Sequence, residues 1–235
     1  MKLLHSLWNQ AVLVQPRPAL WMILLTLGAA VAGILPRRAW RVTRNAVTIA
    51  HEGAHAIVAR CTGRQLDGIK LHSDTSGVTV SAGRPTGLGM ILTAFAGYPG
   101  PSLLGLAAAA VLRTRHADAL ALGTVVLLAV MLTKIRNLFG ALTVLVTGGL
   151  LGAAVVYAPS VVVSGVAYLL AWFLLVSGLR PVVELQAKRA REDTPDSDAD
   201  QLARLTGLPG LLWVGLFGVV SVGALLLGGK WLLLG

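Results

Sequence analysis

Apolar residues are grouped along this chain in long blocks, separated by short polar or basic segments. A block of about 20 residues matches the length of a helix that crosses the hydrocarbon core of a bilayer. Counted by length, the blocks predict about seven membrane helices. Their approximate ranges are 20–35, 41–59, 88–112, 117–132, 138–157, 161–179 and 211–227.

Residues 66–82 depart from this helical pattern. From Gly68 the segment alternates between apolar and polar residues and is rich in β-branched side chains near its end, while residues 73–77 are typical of a turn. This pattern predicts a short β-hairpin between the second and third membrane helices. The expected fold is therefore an all-α polytopic membrane protein with one hairpin, forming a single membrane-embedded domain over residues 1–235.

Composition and charge favour the same class. The chain is 55% hydrophobic and only 13% charged, whereas a soluble domain is about 25% charged. The net charge of +10 is carried by basic residues that flank the apolar blocks, as expected at lipid headgroups. No aromatic residues alternate with them as a stacking platform would require, so nucleic acid is not an expected partner. We expect an integral protein of the cell membrane, in contact with the lipid bilayer.

The block 88–112 is interrupted by Gly97, Pro99, Gly100 and Pro101. Two glycines and two prolines within five residues do not continue a regular helix. At membrane depth such a break is tolerated where it is buried in protein or faces water. On composition alone, a simple kink between two short helices explains it equally well.

The second predicted helix, 41–62, contains the motif His51-Glu52-Gly53-Ala54-His55. Residues four apart lie on one face of a helix, so the two imidazoles can bind one tetrahedral metal ion. Glu52 lies beside the first histidine without being a ligand, where a carboxylate can act as a general base. Because polar side chains in an apolar helix are unfavourable unless they are partnered, the motif favours a zinc site over a structural polar cluster.

A catalytic zinc ion usually has three protein ligands, so one more must come from elsewhere. The predicted polar loop 184–200 contains three candidates, Asp196, Asp198 and Asp200. Ser197 can cap a helix that begins at Asp198, which would hold one carboxylate in place. The alternative is that all three are solvated charges or are favoured by a helix N-terminus. These considerations leave the choice open.

The motif, flanked by Ala50 and Ala56, resembles the active-site helix of site-2-protease-type intramembrane zinc metallopeptidases. The chain is most similar to their M50B-like branch, and the similarity runs through most of the chain. It implies that Asp198, within Ser197-Asp198-Ala199, is the third zinc ligand. The Asn-Pro-Asp-Gly-like motif of the better-known site-2 proteases is absent here.

The resemblance also implies how a substrate is bound. The hairpin resembles a short sheet whose exposed edge can bind an extended peptide. The break at Gly97, Pro99, Gly100 and Pro101 resembles a glycine-rich segment that lines the substrate path. Asn137, at the start of another span, is a candidate for binding the substrate main chain, with a helix cap as the alternative.

The predicted function is hydrolysis of a peptide bond in or near a membrane helix of a protein substrate. His51, His55 and Asp198 would hold Zn²⁺, and Glu52 would deprotonate the attacking water. The alternative is a non-catalytic membrane binding protein or a transporter with a metal site. Glu52 favours the protease, because a structural or transport site does not need an adjacent carboxylate that is not a ligand.

Overall fold

The computed structural model of the chain describes residues 2–191 and 197–235. Within these ranges the chain is mostly helical and contains one two-stranded antiparallel sheet. In chain order the elements are α1 (Lys2–Val12), α2 (Leu20–Ile34), α3 (Arg37–Cys61), β1 (Gln65–Leu71), β2 (Gly77–Ala82), α4 (Leu88–Ala96), α5 (Gly100–Arg113), α6 (Ala117–Leu132), α7 (Leu138–Tyr157), α8 (Ser160–Ser177), α9 (Leu179–Arg189), α10 (Asp198–Thr206) and α11 (Gly210–Leu234).

The largest core lies among α2, α5, α8 and α11. Small side chains such as Ala109 and Ala171 are fully buried there beside Leu175 and Trp172. A Cβ at Gly105 of α5 would lie only 2.7 Å from the backbone nitrogen of Leu175 in α8. Between apolar helices in a membrane, small residues of this kind allow the close backbone approach that van der Waals packing requires.

By length and composition, three helical segments can cross a membrane: Leu138–Tyr157, Ser160–Arg189 and Gly210–Leu234. Two bent pairs also qualify when each pair is taken as one span. The helices meet at 104° in the pair α2 and α3, and at 77° in the pair α4 and α5. The described residues therefore contain three to five candidate spans.

This range is lower than the predicted count of about seven, which stays a prediction. Some of the apolar blocks that the sequence analysis counted as separate spans form short helices in the structure. Others belong to one of the bent pairs. The 16 residues of α6, at 1.5 Å per residue, extend about 24 Å, less than the hydrocarbon core of about 30 Å. The 25 residues of α3 are long enough, but its first two turns carry four arginines.

The predicted two-stranded element is present and follows α3. β1 and β2 pair antiparallel from Gln65↔Ala82 to Leu71↔Gly77, with an irregularity between Leu66 and Gly68. In the connecting turn, Thr75 has a φ of 69°. On its other edge, β1 forms a short parallel bridge to Ile135, before α7 begins. The small sheet thus lies between α3 and the start of α7.

Two predicted boundaries differ in the structure. The motif helix begins at Arg37 rather than at residue 41 and ends at Cys61. The predicted loop 184–200 is shorter, because α9 continues through Arg189 and α10 begins at Asp198. Within α9, the ion pair of Arg180 with Glu184 has the spacing that stabilises a helix.

The close approach of α5 and α8 can be tested with Gly105→Ala. We expect a loss of stability of about 1–3 kcal/mol, because the added methyl overpacks the contact with Leu175. Thermal unfolding of the purified protein in detergent measures the loss. Gly123→Ala is the matched control, since a Cβ at this helical position meets nothing within 4 Å. Equal stability of the two variants would contradict the close contact.

Candidate metal centre

The site begins on α3, where His51 and His55 share one helix face. Apolar neighbours surround them along the helix, and His55 is buried while His51 is partly exposed. Their Nε2 atoms are 3.2 Å apart, and their rings meet edge to face. The four-residue spacing therefore directs both imidazoles toward one point, as the motif predicts.

A carboxylate from α10 reaches the same point. Oδ2 of Asp198 lies 3.4 Å from Nε2 of His51 and 3.3 Å from Nε2 of His55. Asp198 is the first residue of α10, and Ser197 caps this helix by accepting a hydrogen bond from the backbone nitrogen of Asp200. The predicted cap is confirmed, and it sets the direction of the Asp198 side chain.

The three donor atoms form a nearly equilateral triangle with edges of 3.2–3.4 Å. Zinc bonds of about 2.0–2.1 Å in tetrahedral geometry place two ligand atoms about 3.3 Å apart. Oδ2 of Asp198 is also buried without a hydrogen-bond partner among the described residues. The triangle and this unpartnered oxygen both fit a small divalent cation coordinated by two imidazoles and one carboxylate, with a fourth position left open.

The same cluster determines the charge of Asp198, which lies outside the candidate spans. Burial alone raises the pKa of Asp198. The positive charge of the neighbouring His55 and His51 imidazoles instead holds that pKa below its usual range. Asp198 is thus kept as a carboxylate, the form that binds a metal ion.

The second ring nitrogen of His55 has a fixed partner. Nδ1 lies 2.6 Å from the carbonyl oxygen of Thr93 in α4, to which it donates a hydrogen bond. With the proton on Nδ1, the lone pair of Nε2 is directed at the cluster, as in histidines that bind metals. On the other side of the cluster, the ring of Tyr98 contacts His51 edge to face at 5.0 Å and stacks on Phe217 of α11.

Glu52 lies beside the triangle but is not one of its corners. Its side chain is 3% exposed, and its Oε2 accepts a hydrogen bond of 2.6 Å from the hydroxyl of Thr79 on β2. The same hydroxyl is 3.2 Å from the backbone oxygen of Glu52. Gly77 lies against the carboxylate, because a Cβ there would be 2.5 Å from Oε1. The hairpin therefore covers the carboxylate that the motif predicts as a general base.

Among the candidates for the third ligand, the structure separates Asp198 from Asp200. The carboxylate of Asp200 forms an ion pair with Arg189 of α9 and accepts a hydrogen bond of 2.5 Å from the Ser197 hydroxyl. Although burial raises the pKa of Asp200, these two partners lower it below its ordinary value. Asp196, the other candidate, lies outside the described residues.

The residues of the helix break, which the resemblance assigns to the substrate path, lie next to the histidines. Gly97, Pro99, Gly100 and Pro101 are all buried within the protein. A Cβ at Gly97 would lie 2.6 Å from Cε1 of both His51 and His55, and one at Gly100 would collide with the methyl group of Ala54. The break thus forms a wall against the donor side of the two imidazoles. Its place in a substrate path stays a prediction.

Asn137, the other predicted substrate-binding residue, contacts the first strand of the hairpin. Its Nδ2 donates a hydrogen bond of 2.6 Å to the carbonyl of Leu71, and its Oδ1 accepts one of 3.2 Å from the Leu71 nitrogen. Its side chain makes no capping hydrogen bond to α7. Both polar groups of the amide are therefore engaged by β1. Its contact with a substrate main chain stays a prediction.

The sequence did not predict the contacts that join α9 to α3, the helix of both histidines. Glu184 of α9 accepts a hydrogen bond of 2.9 Å from Nε1 of Trp40 and lies 3.4 Å from Arg44, both on α3. Arg180 of α9 also packs over the ring of Trp40. These contacts hold α9, the helix that precedes Asp198, against the helix of both histidines. An acidic residue after an apolar block gives no signal of such a distant partner.

The fold and the site together define a helical membrane protein with a candidate metal centre of two histidines and one aspartate, and with a buried glutamate next to the first histidine in the sequence. The family model described as Peptidase M50B-like matches residues 24–228, and the chain belongs to this family. All four site residues lie inside the matched region. No curated protein and no solved structure matches the chain significantly. Family membership supports a peptidase, in general terms a membrane metallopeptidase, and does not favour a transporter or a binding protein.

The assignment of Asp198 leads to a direct test. We expect Asp198→Ala to lose most of the zinc bound by the purified parent protein, because one corner of the triangle is removed. Asp200→Asn is the matched control and should keep most of its zinc, because Asp200 supplies no corner of the triangle and an asparagine oxygen can still accept hydrogen bonds from Arg189 and Ser197. Elemental analysis by mass spectrometry gives the metal content. Full zinc loading of Asp198→Ala would exclude this residue as a ligand.

The wall at Gly97 can be tested in the same way. In Gly97→Ala the new methyl group would push against both imidazoles, and we expect zinc affinity to fall by about 10- to 100-fold. Competition with a zinc-binding fluorescent chelator measures the change. Gly53→Ala, on the motif helix itself, meets nothing within 4 Å and should bind zinc like the parent. Unchanged affinity in Gly97→Ala would show that the histidines are not confined by this wall.

Proposed function

We propose that the chain is a zinc-dependent endopeptidase that cuts a peptide bond in or near a membrane helix of a protein substrate. The observation that carries this proposal is the triangle of donor atoms from His51, His55 and Asp198, with the Glu52 carboxylate close by but not part of it. Membership of the M50B-like peptidase family supports the reaction class.

The triangle is the proposed zinc site. Zinc held there would lower the pKa of a water molecule and polarise the carbonyl of the scissile bond. Its three protein donors would leave one coordination position for the reaction, as in other catalytic zinc sites. The hydrogen bond from His55 to the Thr93 carbonyl would keep the ring in the tautomer that binds the metal.

Glu52 is the proposed general base and acid. Burial keeps its carboxylate out of bulk water, and the hydrogen bond from Thr79 occupies Oε2. No described residue donates a hydrogen bond to Oε1, which is the oxygen available to take a proton from the attacking water. The same carboxylate would then deliver this proton to the leaving amine, completing hydrolysis.

The free edge of β2 is the proposed substrate-binding element. β1 pairs with only one edge of β2. Val78 and Val80 on β2 are about half exposed. A peptide added to this edge would bind in extended form through main-chain hydrogen bonds. A membrane helix must unwind before its peptide bonds can be attacked, and the exposed edge would hold the unwound segment beside Glu52.

The proposed setting is the lipid bilayer of the cell membrane, with a membrane protein as substrate and no role for nucleic acid. Apolar helices long enough to span a membrane support an integral membrane protein. The finer count of about seven crossings belongs to this proposal. It requires that the short helices α2 and α6 cross the bilayer as separate spans.

The proposed reaction can be tested with Glu52→Gln. We expect cleavage to fall by a factor of about 100 to 10,000, because the amide cannot accept the proton, while zinc content stays at the parental level. The assay follows a labelled synthetic peptide with one apolar segment of about 20 residues, incubated with the full chain in detergent. Labelled casein serves as an unfolded-protein comparison.

Asp67→Asn, an exposed carboxylate on β1, is the matched control and should cleave like the parent. Parental rates in Glu52→Gln would rule out the proposed mechanism. Cleavage that does not depend on added zinc after treatment with a chelator would argue against zinc as the cofactor.

A further inference from the structure

The side chains of β2 alternate between two environments. Gly77, Thr79 and Ser81 are partly buried, while Val78 and Val80 on the opposite face are 48% and 47% exposed. In a strand, alternate residues point to opposite faces, so one set faces the protein and the other faces outward. Thr79 is the inward-facing residue whose hydroxyl contacts a carboxylate of the candidate site.

The contact of Thr79 with Glu52 has the geometry of a strong hydrogen bond. The Thr79 hydroxyl lies 2.6 Å from Oε2 of Glu52, and hydrogen bonds to charged carboxylates are shorter and stronger than neutral ones. Gly77 closes against the other side of the carboxylate, 2.5 Å from Oε1 when a Cβ is built. Two residues of one strand therefore limit where the carboxylate can lie.

No other described residue donates a hydrogen bond to the Glu52 carboxylate. A glutamate side chain has three rotatable bonds, and fixing them lowers its conformational entropy. A general base must be within hydrogen-bond reach of the proton that it takes. The hydroxyl of Thr79 is therefore the one described group that holds the Glu52 carboxylate in place by a hydrogen bond, through Oε2.

The hairpin itself does not depend on this hydroxyl. Its turn is held by the hydroxyl of Thr48, which donates a hydrogen bond of 2.8 Å to the carbonyl of Thr75. Its first strand is held by Asn137 and by backbone hydrogen bonds between Ile69 and the segment before α7. Removing the Thr79 hydroxyl should leave these contacts in place, so that the hairpin stays folded while residues 77–82 open locally more often.

We infer that Thr79 is a positioning residue for Glu52, so that the β-hairpin takes part in catalysis as well as in binding. This inference rests on the proposed function, because it gives the carboxylate a role in the reaction. On this inference β2 has two roles. Its free edge binds the substrate, and its Thr79 orients the general base.

The kinetic test compares three variants of the full chain on the labelled single-span peptide. In Thr79→Val, which keeps the shape and removes the donor, we expect kcat to fall by about 10- to 100-fold. KM and zinc content should stay at the parental values. Thr79→Ser restores the hydroxyl and should recover most of the rate. Thr147→Val in α7, whose hydroxyl donates to the carbonyl of Thr143 in the same helix, is the matched control and should be unchanged.

A second measurement does not depend on activity. Hydrogen exchange of residues 77–82 is compared in the parent, Thr79→Val, Glu52→Ala and the double variant. If the two side chains hold each other, each single change should speed exchange, and the double variant should exchange no faster than the faster single variant. Independent, multiplying effects of the two changes would overturn the inference.

The kinetic and exchange measurements distinguish a wrong role for Thr79 from a wrong proposed function. Parental kcat in Thr79→Val, or a loss that Thr79→Ser does not recover, would overturn the positioning role. A fall in zinc content in Thr79→Val would also overturn it, since the effect would then be on the metal site. If the parent showed no cleavage, or if Glu52→Gln cleaved as fast as the parent, the proposed function would be overturned instead. Hydrogen exchange would still decide whether Thr79 holds Glu52.

Discussion

The meeting of one carboxylate with two imidazoles inside an apolar helical protein is the interaction on which the rest of the site depends. Charged and polar groups are unfavourable in such surroundings unless each has a partner. Asp198, His51 and His55 bring their donor atoms to 3.2–3.4 Å of one another. This arrangement requires α3 and α10, which are far apart in the chain, to be held at a fixed distance and orientation.

Several contacts around the cluster fix the positions of these helices. Glu184 ties α9 to α3, and Arg189 ties α9 to the first turn of α10 through Asp200. Gly97 allows the helix break to pack directly against the two imidazoles. Metal sites depend on such outer contacts for the orientation of their ligands. Under the proposed function these contacts have a chemical purpose, since a zinc ligand would have to be both accessible to substrate and rigidly held.

The hairpin connects the cluster to the surface. Its inner face contacts Glu52 through Thr79, its outer valines are exposed, and Asn137 fastens its first strand to the start of α7. In a membrane helix the peptide groups are already hydrogen-bonded, so a protease needs a place where an unwound segment can find new partners. The free edge of β2, on the strand that contacts the proposed general base Glu52, would satisfy this need.

Local patterns in the sequence determined the parts of the protein that depend on near neighbours. The spacing of His51 and His55 places them on one helix face, Ser197 caps the helix that begins at Asp198, and the alternation near residues 66–82 indicates a hairpin. Only the tertiary structure decided that Asp198 and not Asp200 faces the histidines, that Asn137 binds β1, and that Thr79 and Glu184 belong to the surroundings of the site. Their partners are distant in sequence, and neither propensity nor periodicity specifies which faces of two separate elements will meet.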